Sequence, residues 1–211
     1  MVPMVPMVPM NLWSPAEARG HGMTLAAWAD LEEDEPGELV DGQLVEEEDV
    51  GAEHDIVTGW LVRILGNWAA PHGGLVGVSD TRFGVSRAGG RKPDAYVYLA
   101  GRRPPRRGLV TLPPDIMVEV VSPRPKDARR DRVDKVREYA AFGARFYWIV
   151  DPATRTFHVF ELGADGRYTV AAAAADGMID PVPGCEGLVL DLDALWAEVD
   201  RMGPGDAGAE P

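Results

Sequence analysis

The sequence has a single cysteine, no long apolar run and a deficit of positive charge. One cysteine excludes an internal disulfide and a multi-cysteine zinc site, and it fits the reducing cytoplasm, where we expect the protein. The turn-like surroundings of Cys185 contain no histidine, which argues against a nucleophilic role. Because a membrane span needs about 18–20 consecutive apolar residues, we expect no contact with a membrane.

Basic and acidic residues are unevenly distributed along the chain. The net charge of −13 by itself argues against nucleic-acid binding. However, residues 82–145 hold 16 of the 21 basic residues and only 7 acidic ones, whereas the remainder holds 5 basic and 27 acidic residues. This asymmetry predicts a basic face on an acidic body, and the alternative is a solvated helix face with an arginine-rich loop.

The composition predicts one folded domain between two tails. At 211 residues the chain is long enough to bury one substantial core. The start repeats Met-Val-Pro three times, and proline at every third position forbids a helix. We therefore predict a disordered tail over 1–22, a domain over 23–200 and a second disordered tail over 201–211, which is rich in glycine and proline.

Periodicity and turn residues predict a mixed α/β protein. Helices are expected over 25–31 behind Thr24 as N-cap, over 54–69 and over 127–142, where Gly143 ends the helix. Strands are expected in a hairpin over 38–45 with an Asp-Gly turn, and over 75–85, 95–99, 116–121, 146–150 and 156–162. The order predicts a mixed sheet flanked by helices.

One residue breaks the apolar pattern of the strand over 116–121. Glu119 is the only charged side chain in Ile-Met-Val-Glu-Val-Val. Burying a carboxylate in such a strand costs several kcal/mol unless it is paired or binds a metal. The alternatives to a metal ligand are a buried ion pair and an edge strand with one wet face.

Two further residues could complete a site around Glu119. Asp94 opens the strand over 95–99, and two carboxylates from adjacent strands suit Mg²⁺ or Mn²⁺. Lys135 lies at the margin of the buried stripe of the helix over 127–142, four residues before Tyr139. A strand-initiating turn aspartate and a solvated helix lysine are the respective alternatives.

The spacing of these motifs resembles the Uma-type family of restriction-endonuclease-like proteins in the PD-(D/E)XK nuclease superfamily. The resemblance covers roughly 23–196. The matching segments are Glu38-Leu39-Val40-Asp41-Gly42, His54, Pro93-Asp94, Glu119-Val120-Val121-Ser122-Pro123, Asp131, Lys135 to Tyr139, Tyr147-Trp148-Ile149-Val150-Asp151-Pro152 and Val182-Pro183-Gly184-Cys185-Glu186-Gly187-Leu188. Each motif is weak alone, and their order is specific.

The resemblance implies an αβββαβ core, with an extra N-terminal hairpin and extra C-terminal strands. It implies that Asp94 and Glu119 bind the metal, with the main-chain carbonyl of Val120 as a third ligand. The superfamily's lysine two residues after the glutamate is replaced by Val121, and Lys135 matches a lysine that substitutes for it, with Lys126 as the alternative. The resemblance also adds two further members of the site, His54 and Glu38.

Together these features predict a Mg²⁺- or Mn²⁺-dependent endonuclease that hydrolyses phosphodiester bonds of DNA. Lys135 would position the attacking water. Backbone phosphates would contact the arginines at 102–107 together with Arg124, Arg129, Arg130 and Arg132. A homodimer is expected for cleavage of a duplex. The alternatives are a catalytically silent nuclease fold that binds nucleic acid and a protein-interaction module.

Overall fold

The computed structural model of the chain describes residues 22–32, 37–45, 51–122 and 132–203, together with the backbone of 130 and 131. These parts form a six-stranded mixed sheet, a four-stranded antiparallel sheet and a two-stranded ribbon. Apolar layers cover both faces of the six-stranded sheet. The predicted α/β class, with helices flanking a mixed central sheet, is therefore confirmed.

The helices and strands have the following bounds. The helices are α1 (Leu25–Ala29), α2 (Ala52–Ala69), α3 (Lys135–Phe142) and α4 (Leu192–Val199), with a 3-10 turn at Ala70–His72 and a π-helical turn at Arg130–Asp134. The strands are β1 (Glu38–Val40), β2 (Gln43–Val45), β3 (Leu75–Val78), β4 (Phe83–Ser86), β5 (Gly89–Arg91), β6 (Ala95–Tyr98), β7 (Ile116–Val120), β8 (Phe146–Asp151), β9 (Thr156–Leu162), β10 (Tyr168–Ala174), β11 (Met178–Ile179) and β12 (Leu190–Asp191).

Local sequence explains where the helices begin and end. The hydroxyl of Thr24 accepts a hydrogen bond from the backbone N–H of Ala27 at 3.1 Å, which caps α1 as predicted. Gly143 follows α3 with φ 94°, a conformation that glycine adopts easily, so it is the predicted stop. The described part of the helix predicted over 127–142 begins as a π-helical turn and becomes α-helical at Lys135.

The large sheet has the strand order β10-β9-β8-β7-β6-β3. β7 and β8 lie in the middle and run parallel, while the other neighbouring pairs are antiparallel. Every residue of both central strands is buried, as the apolar run at 146–150 predicts. The alternative that Glu119 belongs to an edge strand is therefore wrong.

The two faces of the large sheet pack against different helices. On one face Val118 and Val120 pack in a large apolar cluster with α2 and α4. On the other face Met117 and Val121 pack in a smaller cluster with Tyr139 of α3 and with residues of β4. Because side chains alternate along a strand, Glu119 shares the face of Met117 and Val121. The sheet thus aims this carboxylate towards α3.

The small sheet has the order β2-β1-β5-β4, and it corrects one prediction. The hairpin β1–β2 turns at Asp41 and Gly42, with φ 49° and 77°, as the Asp-Gly pair predicts. The single strand predicted over 75–85 is wrong: β3 belongs to the large sheet and β4 to the small one. Asp80 adopts φ 73° between them and redirects the chain.

Several predictions concern residues that the structure does not describe. Most of the tail predicted over 1–22, the segment 204–211, and the three residues Arg124, Lys126 and Arg129 lie outside the described residues, as does the side chain of Arg130. In the part that is described, no helix has both the length and the apolar character needed to cross a bilayer. Additional strands after β8 are present as expected, and β9 forms the predicted hairpin with β8.

Candidate active site at the end of the central sheet

Glu119 is the second-to-last residue of β7 and is only 3% exposed. Its Oε1 accepts a hydrogen bond from Tyr139 Oη at 2.5 Å, and its Oε2 lies 2.9 Å from Lys135 Nζ. Lys135 and Tyr139 are four residues apart on α3, so they share one side of the helix. The ion-pair alternative is therefore observed: the buried charge of Glu119 is balanced by a lysine from the next helix.

Lys135 also joins Glu119 to a carboxylate from the small sheet. Glu38, on β1, is 1% exposed, and its Oε1 lies 3.5 Å from Lys135 Nζ. The same oxygen accepts a hydrogen bond from the backbone N–H of Lys92 at 3.1 Å. Lys135 is itself only 4% exposed, so its ammonium is held between two buried carboxylates.

Arg91, which the sequence did not single out, completes this buried network. Its guanidinium donates to Glu38 Oε2 at 3.2 Å and, in a bidentate pair, to both carboxylate oxygens of Glu138 at 2.6 Å. Burial acts to lower the pKa of Arg91, but the hydrogen bonds to Glu138 and the charge of Glu38 outweigh it and raise the pKa. Arg91 is thus a fixed cation that ties β1 and α3 to β5.

Tyr139 is the second participant that the sequence did not assign to the site. It is fully buried, and burial together with the charge of Glu119 raises the pKa of its phenol well above the ordinary value. The phenol therefore stays protonated and donates to Glu119. Its position four residues after Lys135, on the same side of the helix, is the signal that could have identified it.

Asp94 lies at the same end of the sheet, immediately before β6. β6 and β7 pair in a register that joins Ala95 to Val118, and continuing this register by one residue places Asp94 opposite Glu119. Asp94 Oδ2 accepts a hydrogen bond from the backbone N–H of Val120 at 2.6 Å. The two predicted metal ligands and Val120 are therefore brought together.

His54 reaches Asp94 from the first turn of α2. Its Nε2 lies 3.2 Å from Asp94 Oδ1, and the residue is 8% exposed. Burial acts to lower the pKa of His54, but the hydrogen bond to Asp94 and the charge of Asp94 outweigh burial and raise the pKa. The protonated imidazolium is thereby favoured beside the carboxylate. His54 is therefore a buried residue in the first turn of α2, not a surface residue.

The five predicted site residues form two linked groups. Glu38, Lys135 and Glu119 form one group, and His54 and Asp94 form the other. Val120 connects the two groups, because it follows Glu119 in β7 and its backbone N–H binds Asp94. Val121 is buried in the apolar cluster on the face of α3, so the ammonium at this site comes from the helix.

The donor set for a divalent cation is sparse. It consists of the carboxylates of Asp94 and Glu119 at facing register positions, because the Val120 N–H donates to Asp94 and cannot bind a metal. Within the part of the chain that the structure describes, no group of three or more His, Cys, Asp or Glu residues is placed to hold a metal. Mg²⁺ commonly binds through one or two carboxylates and completes its shell with water and substrate phosphate oxygens, which suits this sparse set.

Among the basic residues predicted to contact phosphates, those whose side chains the structure describes fall into two groups. Arg102 donates to Asp115 Oδ1 at 2.8 Å, Arg103 donates to the carbonyl of Gly73 at 3.0 Å, and Arg132 pairs with Asp151. These three side chains hold the protein's own loops and strands. Arg106 and Arg107 are exposed and bind none of the described residues.

Cys185 is buried, and a buried thiol is poorly placed to act as a catalytic nucleophile. It is 1% exposed in the apolar cluster beneath α2 and α4, and burial raises the pKa of its thiol to about 12. The reactive thiolate is therefore scarce at neutral pH. The prediction that Cys185 is not a catalytic nucleophile agrees with this placement.

Comparison with known structures defines the class of fold. A crystal structure described as "a putative nuclease belonging to DUF820", from Anabaena variabilis ATCC 29413, matches with a TM-score of 0.68. The match covers 84% of this chain and 99% of that chain at 20% sequence identity. A likeness at this identity shows the fold, which is that of the restriction-endonuclease-like nucleases.

Comparison with family models then places the chain. The model of the Uma2 family, described as "Putative restriction endonuclease", matches residues 24–193. The match spans most of the chain, so the protein belongs to the Uma2 family, and the resemblance noted in the sequence is confirmed. No curated protein matches the chain by sequence.

Proposed function

We propose that this protein is a metal-dependent endonuclease that hydrolyses phosphodiester bonds of DNA. The observation that carries the proposal is the placement of Lys135 Nζ 2.9 Å from Glu119, with Asp94 opposite Glu119 in the strand register. Membership of a family described as a restriction endonuclease supports the reaction class. The folding unit is proposed to span 23–200.

In this proposal Asp94, Glu119 and the carbonyl of Val120 hold Mg²⁺ or Mn²⁺. When bound, such a cation supplies Lewis-acid polarisation of the scissile phosphate and makes a nearby water more acidic. Lys135 positions the attacking water and offsets negative charge that develops on the phosphate. Tyr139 and Glu38 hold Glu119 and Lys135 in place, and His54 orients Asp94 through its contact with Oδ1.

A cleavage assay tests the proposal. Purified protein is incubated with single-stranded and duplex DNA, and with RNA of the same sequences, in Mg²⁺, in Mn²⁺ and in chelator. We expect metal-dependent cutting of DNA, lowered by about two to three orders of magnitude in Glu119→Gln and Asp94→Asn, as for other losses of transition-state electrostatics. Glu161→Gln, a half-exposed glutamate on β9, is the matched control and should cut normally.

A second experiment separates the enzyme from a catalytically silent nuclease fold. The silent alternative is favoured by one observation: each carboxylate oxygen of Asp94 and Glu119 already accepts a contact from a protein donor. A functional metal site should raise the free energy of unfolding by about 2.7 kcal/mol at a hundredfold excess of metal over its dissociation constant. Loss of this effect in Glu119→Gln supports the enzyme, and its absence in the wild type supports the silent fold.

Cleavage of both strands of a duplex often uses two active sites, so we propose that the protein acts on duplex DNA as a homodimer. Light scattering during size-exclusion chromatography tests this directly, because one chain has a mass of 22.8 kDa. A monomer that persists in the presence of duplex and metal contradicts the dimer.

A further inference from the structure

A polar groove is lined in part by Lys92, whose backbone N–H binds Glu38 of the candidate active site. It has a volume of about 820 Å³, which lies within the range of roughly 300–1,000 Å³ for ligand pockets. Its walls come from α1, from the turn between β3 and β4, and from the arginine-rich loop that follows β6. We propose that this groove binds the substrate strand next to the scissile phosphate, with a non-scissile phosphodiester on Lys92, Arg106 and Arg107. This inference rests on the proposed function.

Lys92 gives the first reason to expect an anion in the groove. The residue lines the groove and is only 7% exposed. Its ammonium lies 3.9 Å from Asp80 Oδ1, a distance beyond hydrogen bonding, and the Asp80 side chain is 85% exposed. A buried ammonium without a close partner is costly, so an anionic group in the groove would supply the missing contact.

The arginine-rich loop gives the second reason. Arg102 and Arg103 anchor the loop through Asp115, Pro113 and Gly73. Arg106 and Arg107 also line the groove, but they are exposed and make no hydrogen bond or ion pair with the residues that are described. Arg102 and Arg103 therefore stabilise the loop itself, whereas Arg106 and Arg107 are available to a ligand in the groove.

Arg82 shows that the opposite wall is also held in place. Its guanidinium donates to the backbone carbonyls of Ala29, Leu31 and Glu32 at 3.0, 2.6 and 2.7 Å. These bonds fasten the end of α1 to the turn before β4. One wall of the groove is therefore cationic, and hydrogen bonds hold the opposite wall in place.

Connectivity to the active site identifies the ligand as part of the substrate. The backbone N–H of Lys92 binds Glu38, whose Oε1 is 3.5 Å from Lys135 Nζ, and Asp94 follows two residues later. A strand with its scissile phosphate near Asp94 would therefore pass its neighbouring phosphate across Lys92. Tyr96 and Pro104 add apolar surface to the groove, which suits a deoxyribose or a base edge.

Binding to a catalytically inactive protein tests the inference. Fluorescence anisotropy of labelled single-stranded and duplex DNA is measured in chelator over a range of salt concentrations, with Glu119→Gln as the parent. Adding Arg106→Gln and Arg107→Gln should weaken binding at least tenfold. It should also reduce the salt slope for single strands, by about 0.7 for each phosphate contact that is lost.

The matched control changes two arginines at the other end of the large sheet. Arg145 precedes β8, and Arg167 precedes β10; the N–H of Leu162 binds Arg145 O, and Leu162 pairs with Tyr168. Arg145→Gln with Arg167→Gln removes the same total charge and should leave affinity and slope within about twofold of the parent. Equal losses in the two double variants overturn the groove, because they would show a general charge effect.

Lys92→Met separates a binding role from a structural one. Replacing an ill-paired buried charge by an apolar side chain of similar length is often neutral or stabilising. We therefore expect unchanged or higher thermal stability together with weaker DNA binding. Lower stability with unchanged binding would show that Lys92 is structural and would remove it from the groove site.

The outcome for the groove is independent of the outcome for cleavage. If the wild type fails to cut DNA but the Arg106 and Arg107 variant loses binding selectively, the groove stands and the nuclease activity falls. If the wild type cuts and this variant cuts with unchanged KM, the nuclease stands and the groove falls. Absence of DNA binding by the parent overturns the groove as well.

Discussion

The two faces of β7 differ sharply although they belong to the same five residues. Val118 and Val120 face α2 and α4 in an apolar layer, whereas Glu119 faces α3 in a network of buried charges. Apolar contacts are roughly additive and tolerate conservative change. A buried ionic network is not additive, because each member leaves another uncompensated when it is lost. The same strand therefore carries an apolar layer on one side and a network of buried, paired charges on the other.

The largest change in stability is expected when a charge is removed from the network around Glu119. Lys135→Met should lower the free energy of unfolding by about 3–5 kcal/mol, because Glu119 and Glu38 lose the cation between them. Urea unfolding followed by tryptophan fluorescence measures the change. Arg137→Met, an exposed arginine on the same helix, is the control and should stay within about 0.5 kcal/mol of wild type.

The double variant Lys135→Met with Glu119→Gln sharpens the same test. Removing both charges should recover part of the loss, with a coupling energy of about 0.5–3 kcal/mol. Strict additivity of the two single changes would contradict a coupled network on this face.

The apolar face should respond differently. Leu61 of α2 is fully buried, and Leu61→Ala should cost about 2–5 kcal/mol through lost burial and a cavity. Ile56→Ala on the same helix is the control, since Ile56 is 38% exposed. Combined with Lys135→Met, the Leu61→Ala cost should add within about 0.5 kcal/mol, because the two residues pack on opposite faces. A coupling above 1 kcal/mol would show that the faces are not independent.

Removing the Tyr139 hydroxyl, which donates to Glu119, should have a smaller effect on the free energy of unfolding. Tyr139→Phe removes a hydrogen bond to a charged acceptor and should cost about 1.5–3 kcal/mol. Tyr168→Phe removes a bond to the neutral carbonyl of Ala144 and should cost about 0.5–1.5 kcal/mol. Equal costs for the two variants would contradict a stronger hydrogen bond from Tyr139 to Glu119 than from Tyr168 to Ala144.

The smallest effect concerns the titratable group on the apolar face. Because burial raises the pKa of Cys185 to about 12, the thiol stays neutral in the folded state. Iodoacetamide at pH 8 should label the native protein far more slowly than the protein in denaturant, as mass spectrometry can show. The unfolded thiol ionises near pH 8.5, so stability should fall as pH rises from there towards 12. Fast native labelling would contradict the burial.

Much of the fold could be predicted because local signals agree with the tertiary structure. The Asp41-Gly42 pair has the positive φ angles that the predicted turn requires, and Gly143 ends α3 as expected. The apolar run 146–150 is central in the sheet. At these positions turn chemistry and burial point to the same structure, so the sequence suffices.

The small sheet could not be predicted, because tertiary contacts override its local pattern. β5 contains two glycines, which disfavour a strand. The structure uses this absence of side chains: a Cβ on Gly90 would lie 2.4 Å from the Trp28 ring. Nothing in the sequence alone connects Trp28 to Gly90. The division of 75–85 at Asp80 is missed for a similar reason, because one αL residue interrupts an otherwise strand-like run.

The candidate site was predicted as a set of residues but not as a network. The oddity of a charge in an apolar strand identifies Glu119, and motif order identifies Asp94, Lys135, His54 and Glu38. Arg91 was missed, because an arginine next to Lys92 and Pro93 looks like surface charge. Only the docking of β5 against β1 and α3 turns it into a buried cation.

The late position of α3 along the chain has a consequence for synthesis. Lys135 and Tyr139, which bind Glu119, lie beyond residue 134, whereas Glu38, Asp94 and Glu119 are made earlier. At about 5–20 residues per second, the ribosome adds the intervening segment in roughly one to a few seconds. During that interval, and in any product that stops before Lys135, the carboxylates exist without their cation. If Lys135 positions the attacking water as proposed, chains that stop before it should therefore not cut DNA.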